Sequence, residues 1–134
     1  MKRILGLIVL IFCFYGVSGQ ESSLQADMEF LGKKLQIKES QRASLSKILI
    51  KKHNTMQGLL AMRSSNEDLF RQKRRNIISG TEASIKMILA EEQLKLWHAY
   101  KSEMRIANAE RSAALKARNA SKQDLLDAHY GIEN

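Results

Sequence analysis

The chain contains no proline, and that absence does most to limit what it can fold into. Proline breaks a helix interior by removing a donor and clashing with the preceding turn, so nothing here interrupts long helices. Strand signals are missing as well. The only valines are Val9 and Val17, no alternating Val/Thr/Tyr run occurs, and no Asn-Gly or Asp-Gly pair marks a hairpin turn. Apolar residues recur instead at helical spacing. Leu24, Met28, Leu31 and Leu35 share one helical face, and Leu45, Ile48, Leu49, Met56, Leu59 and Leu60 continue a stripe after Gln41. Ser64-Ser65-Asn66-Glu67-Asp68 then combines cap-type side chains with carboxylates that suit a helix N-terminus. Beyond it Phe70, Ile77, Thr81, Ile85 and Ile88 form a second face. Gly80 lies inside this face and loosens it by about 1 kcal/mol relative to Ala. A third helix starts near Glu91 and carries Leu94, Trp97, Met104 and Leu115, with Asn119-Ala120-Ser121 as its fraying end. The expected fold class is all-α, with long amphipathic helices in a helical hairpin or a three- to four-helix arrangement.

The N-terminus points to export. Met1-Lys2-Arg3 is a short positive region, Ile4 to Tyr15 is apolar apart from Gly6, and Val17-Ser18-Gly19 supplies small residues before Gln20. This is the layout of a cleaved secretory signal peptide. An uncleaved anchor is the alternative, and the apolar run falls short of the about 20 residues that a membrane span requires. Three segments follow: 1–19 as signal peptide, 20–119 as the helical domain, and 120–134 as a polar C-terminal tail with Leu125-Leu126 as a docking pair. Cleavage removes the single Cys, Cys13, so no disulfide supports the fold. An exported chain without cysteine fits a bacterial envelope, which makes the expected compartment the periplasm. Three thin amphipathic helices close a poor core on their own, and a homodimer that shares the core is the natural remedy.

Two short patterns recur. Ile37-Lys38-Glu39-Ser40-Gln41 and Leu89-Ala90-Glu91-Glu92-Gln93 each place an apolar residue four positions before Gln, at the head of an amphipathic stretch. Carboxylate and amide side chains in a first turn can satisfy unpaired helix amides. With these residues in place the chain resembles the Spy/CpxP family of periplasmic proteins, whose hallmark is a duplicated Leu-Thr-x-x-Gln motif. Ile88-Leu89-Ala90-Glu91-Glu92-Gln93-Leu94-Lys95-Leu96-Trp97 is similar to the family's second copy, and the stretch from Leu35 to Gln41 is a looser first copy. The resemblance spans roughly residues 28–106. Lys38 and Ala90 stand where the family has Thr, and the two Gln are 52 positions apart, a short gap for the family. The resemblance implies a curved, antiparallel, intertwined helical dimer that cups unfolded or stress-damaged client proteins without ATP. It implies equally an envelope-stress or metal-responsive regulator, partnered by a sensor kinase, on the same scaffold.

Composition supplies a candidate client surface. The chain carries 22 Lys and Arg against 14 Asp and Glu. The densest run is Arg71-Gln72-Lys73-Arg74-Arg75, with Lys51, Lys52 and Arg63 nearby in sequence. Such a field steers acidic partners and weakens with salt. Met56 and Met62 are adaptable apolar side chains, and Leu59 and Phe70 flank the expected turn. The candidate client-binding set is therefore Lys51, Lys52, Met56, Leu59, Met62, Arg63, Phe70, Arg71, Arg74 and Arg75. A charge run on a helix is more often only a solvated face, and the family resemblance favours the functional reading.

Other chemistries find little. His53, Met56 and His98 are weak metal candidates, because no pair has ligand spacing and no Cys accompanies them. No catalytic constellation, phosphate loop or cofactor motif is present, so the expectation is a binding protein and not an enzyme. Export and few aromatic residues argue against nucleic acid. Basic amphipathic helices can lie on anionic lipid, a membrane-surface role that is not favoured.

Overall fold

The structure is a computed structural model that describes residues 23–132. The expected signal segment 1–19 lies outside the described residues. All regular structure among the described residues is helical, with no strand. Helix α1 covers 23–34, α2 Glu39–Leu59, α3 Glu67–Ile88, α4 Glu91–Ala117 and α5 Lys122–His129. A 3₁₀ turn, Leu60–Met62, joins α2 to α3.

Local chemistry sets each boundary. Asn66 caps α3 by accepting from the Leu69 N–H at 3.0 Å, and Glu67 and Asp68 sit in its first turn, where carboxylates favour the positive helix end. Glu91 and Glu92 do the same for α4. The end of α1 is set by Gln36, a non-glycine residue at φ 50°. There the Ile37 N–H reaches the Gly32 carbonyl at 3.0 Å and the Gln36 N–H reaches Lys33, the paired bonds of a Schellman cap. Asn119, at φ 56°, ends α4 in the same way, through Ala120 N–H to Leu115 O at 3.0 Å. The expected fraying at Asn119-Ala120-Ser121 is therefore corrected to a sharp reversal. Asn tolerates the left-handed conformation, and Ser121 immediately caps α5 by accepting from Asp124 N–H at 3.1 Å.

The two repeated patterns meet. The Gln41 amide donates to Gln93 Oε1 at 2.7 Å and the Gln93 amide donates back to Gln41 Oε1 at 2.9 Å. Each Oε1 also accepts its own helix's N-cap amide, Lys38 N–H at 2.9 Å and Ala90 N–H at 2.8 Å. Each Nε2 uses its second hydrogen on the chain entering the other motif, Gln41 on Ile88 O at 2.7 Å and Gln93 on Gln36 O at 2.9 Å. Both side chains thus use two donors and two acceptor sites, the full capacity of a primary amide. Every partner in one half has its counterpart 52 positions away in the other, so the clasp is a local pseudo-twofold. Neither N-cap side chain bonds its helix, and the glutamines supply the capping instead.

Around the clasp lies the core. Leu31, Leu35, Leu45, Leu49, Ile85 and Trp97 are buried together, with Ile37 and Leu89, the apolar heads of the two patterns, packed against them. Ion pairs tie the helices above this core. Asp27 accepts from Lys52 and His53, both at 3.2 Å, linking α1 to α2. Lys34 meets Glu103 at 2.8 Å, linking α1 to α4, and Lys101 pairs with Glu82, linking α4 to α3.

The last helix departs from expectation. Residues 122–129 of the expected polar tail form α5, which packs on α3 and α4. Ala128 is fully buried and Ile132 nearly so, while Leu126 is 38% exposed. The deepest anchors are therefore Ala128 and Ile132, and of the expected pair Leu125 is half-buried and Leu126 exposed. Gly131 makes the final turn possible. Its φ is +72°, and a Cβ there would sit 3.3 Å from Met104 Cε, a conformation only glycine adopts without cost.

Candidate functional site

Helices α2 and α3 run antiparallel, with Gln41 near Ile88 at one end and the 3₁₀ turn joining them at the other. Between them lies a groove of about 320 Å³. Ile48, Ile77 and the bare backbone of Gly80 line its apolar part, Thr55, Thr81 and Ser84 line its polar part, and Lys51 and Lys52 stand on its α2 rim. It continues toward the turn through Thr55 and Ile77, past Leu59, Asn76 and Lys73. Thr81 and Ser84 turn their hydroxyls back to the helix carbonyls of Ile77 and Gly80 at 2.7 and 2.9 Å. Those two hydroxyls therefore already have a backbone acceptor. A Cβ on Gly80 would meet nothing within 4 Å, so the groove has room there for a side chain of a bound molecule.

The groove brings together only part of the expected site. Lys51, Lys52 and Leu59 line it, and Lys73 joins them. Lys51 and Lys73 are exposed, whereas Lys52 also pairs with Asp27. Met56 and Met62 are half-buried and line neither part of the groove. Phe70 is 4% exposed, because the guanidinium groups of Arg63 and Arg74 lie over its ring at 6.0 and 5.8 Å. It is a covered residue and not a client-facing one. Burial lowers the pKa of Arg74 from its ordinary value, with the nearby positive charges of Arg63 and Arg71 acting in the same direction and Asp127 opposing.

Arg71 and Arg75 are also corrected. They do not form an open basic surface, because α5 lies across them. Arg71 Nη1 donates to Asp124 at 2.8 Å and to Asp127 at 3.3 Å, while its Nε and Nη2 donate to Glu67. Arg75 donates to Asp127 at 2.6 Å and to Gln123 at 3.2 Å. Asp127 is 1% exposed. A carboxylate at that depth requires charged, hydrogen-bonding partners, and the two guanidinium groups provide them. Sequence reasoning missed Asp124 and Asp127. The available signal was Ser121-x-x-Asp124, a capping-box spacing that announces a helix.

The metal candidates lie on two helices, His53 and Met56 on α2 and His98 on α4. His53 is engaged by Asp27, Met56 lies on the same helix, and His98 is exposed on α4. Among the described residues no group of three His, Cys, Asp or Glu could hold a metal ion, and no helix is long and apolar enough to cross a membrane. No protein-family model, curated protein or solved structure matches the chain.

The α5 contact carries a pH dependence. The hydrogen bond from Arg71, followed by that from Ser121, holds the Asp124 carboxyl at about 2 against an ordinary 3.8. Its folded value is depressed, so its contribution is complete above the ordinary value and is lost as pH falls toward 2. Protection factors for amide exchange at residues 122–132, taken relative to the intrinsic rate at each pH, should therefore fall between about pH 4 and pH 2. Protection factors that stay constant from pH 4 to pH 2 would contradict this assignment.

Proposed function

We propose that the chain is an exported, periplasmic, non-enzymatic protein of the Spy/CpxP type that binds unfolded or stress-damaged polypeptide without ATP, using the α2–α3 groove. The observation that carries this reading is the groove itself, with its apolar lining of Ile48, Ile77 and Gly80 and its lysine rim. Both walls are helices whose backbone groups are already bonded internally, so recognition falls to side chains. A shallow apolar strip with exposed cations at its edge accepts many sequences and demands none, as suits a protein with varied clients. The cations raise the encounter rate with acidic chains, and the apolar strip holds what arrives. The duplicated motif with its clasped glutamines, the basic balance and the N-terminal segment support the same assignment.

The protein also acts as a homodimer in this proposal, with the antiparallel intertwined arrangement of that family. Phe30 at 52%, Ile106 at 62% and Met87 at 86% exposed are large apolar side chains for a second copy to cover. Light scattering at micromolar concentration should return the mass of two chains. A single-chain mass throughout, with cooperative unfolding intact, would contradict the dimer.

The direct test is aggregation of a chemically denatured model client without nucleotide. The unaltered protein should suppress aggregation near one-to-one stoichiometry. A Lys51→Glu, Lys73→Glu variant should need on the order of fivefold more protein at low salt, and the difference should shrink at high salt as screening takes over. Gly80→Phe fills the groove without touching the charges, and it should impair suppression at both ionic strengths. Equal suppression by all three proteins would overturn the assignment of the groove.

A further inference from the structure

The surface beneath α5 has the features of a recognition site whose occupant happens to belong to the same chain. Helix α5 has eight residues, well under the roughly 12–15 an isolated helix needs in water, so it depends on its contacts to stay folded. Those contacts are selective. Asp124 and Asp127, three residues apart and so on one helical face, meet Arg71 and Arg75. The Asn108 side chain donates to the His129 carbonyl at 3.1 Å, and Ile132 is the apolar anchor at 6% exposure. The outer face, with Tyr130 at 39% exposed, takes no part.

The receiving surface calls for an anionic cover. Arg71, Arg74 and Arg75 lie within about one helical turn of each other, and Arg63 lies beside them on Phe70. Glu67 is the acidic partner α3 itself offers to Arg71. Guanidinium groups so close repel one another unless carboxylates are placed among them. The tether is short, because α5 begins directly after the reversal at Asn119.

We infer that the Arg71/Arg75 face is a docking site for an acidic amphipathic helix, that α5 is its tethered occupant, and that a helix of another polypeptide with two carboxylates three residues apart and an apolar anchor displaces α5 to bind there. This site is separate from the α2–α3 groove and does not depend on the function proposed for it. The tether gives α5 a high effective concentration, so an outside helix competes poorly until α5 loosens.

The probe is a fluorescent synthetic peptide with the sequence of residues 119–134, titrated against the full chain by anisotropy. Ile132→Ala in the full chain weakens the apolar anchor and leaves every arginine and aspartate in place. The probe should bind this variant at least about tenfold more tightly than the unaltered chain. Added salt should weaken the binding, and replacing both aspartates of the probe by asparagine should abolish it. Equal binding to the two chains, or binding indifferent to the probe's aspartates, would overturn the inference. A second measurement uses only the unaltered chain, in case the variant fails to fold. Millimolar unlabelled peptide should accelerate hydrogen exchange at residues 122–132 while leaving α2 and the core end of α3 protected. Unchanged exchange at 122–132, or loss of protection throughout, would equally overturn it.

Discussion

The reciprocal amide pair between Gln41 and Gln93 is the interaction on which the arrangement of helices depends. Each side chain has four hydrogen-bonding positions, and all four are used. Two of the bonds replace missing caps at the starts of α2 and α4, and the others join the turn entering α2 to the turn entering α4. A buried amide that lost its partner would leave donors and acceptors with no water to take them, which is costly. Gln93 is 3% exposed, so the penalty applies to it in full. The same bonds that start two helices therefore also fix how those helices meet.

The groove follows from that constraint. With the motif ends of α2 and α3 held at the clasp and their other ends joined by a 3₁₀ turn, the two helices must lie side by side between these points. Ile48, Ile77 and Gly80 line the gap between them. Ile85 and Leu49 belong to the buried core, and Phe70 is buried under Arg63 and Arg74. Of the lysines at the rim, Lys51 and Lys73 are exposed, whereas Lys52 is held by Asp27.

Much of this was legible in the sequence, and the limits are physical. Helical spacing located α2, α3 and α4, because apolar periodicity reports which face is buried. Asn66 and the carboxylates after it announced the start of α3 because capping is a local effect. The repeated apolar-x-x-x-Gln pattern identified the two glutamines but not that they bond each other, since pairing across 52 residues leaves no local trace. Gln36 was silent for a similar reason, as a non-glycine residue held left-handed by its surroundings gives no warning. The basic run was misread in part. Periodicity places Arg71 and Arg75 on one face of α3 but cannot show that a polar C-terminal segment covers it. That cover rests on Asp124 and Asp127, and the burial of Asp127 makes sense only once its partners are known. Ala128 and Ile132, the deepest anchors, are too few to register as an amphipathic stripe.

A double-mutant cycle on the clasp tests the account at its base. Gln41→Leu and Gln93→Leu, singly and together, are followed by denaturant unfolding. Each single change strands the other amide and should cost about 1–3 kcal/mol. The double change strands neither, so it should cost less than the sum by at least about 1 kcal/mol. Costs that add to within about 0.5 kcal/mol would mean the two amides act separately, and the clasp would not be what holds the frame together.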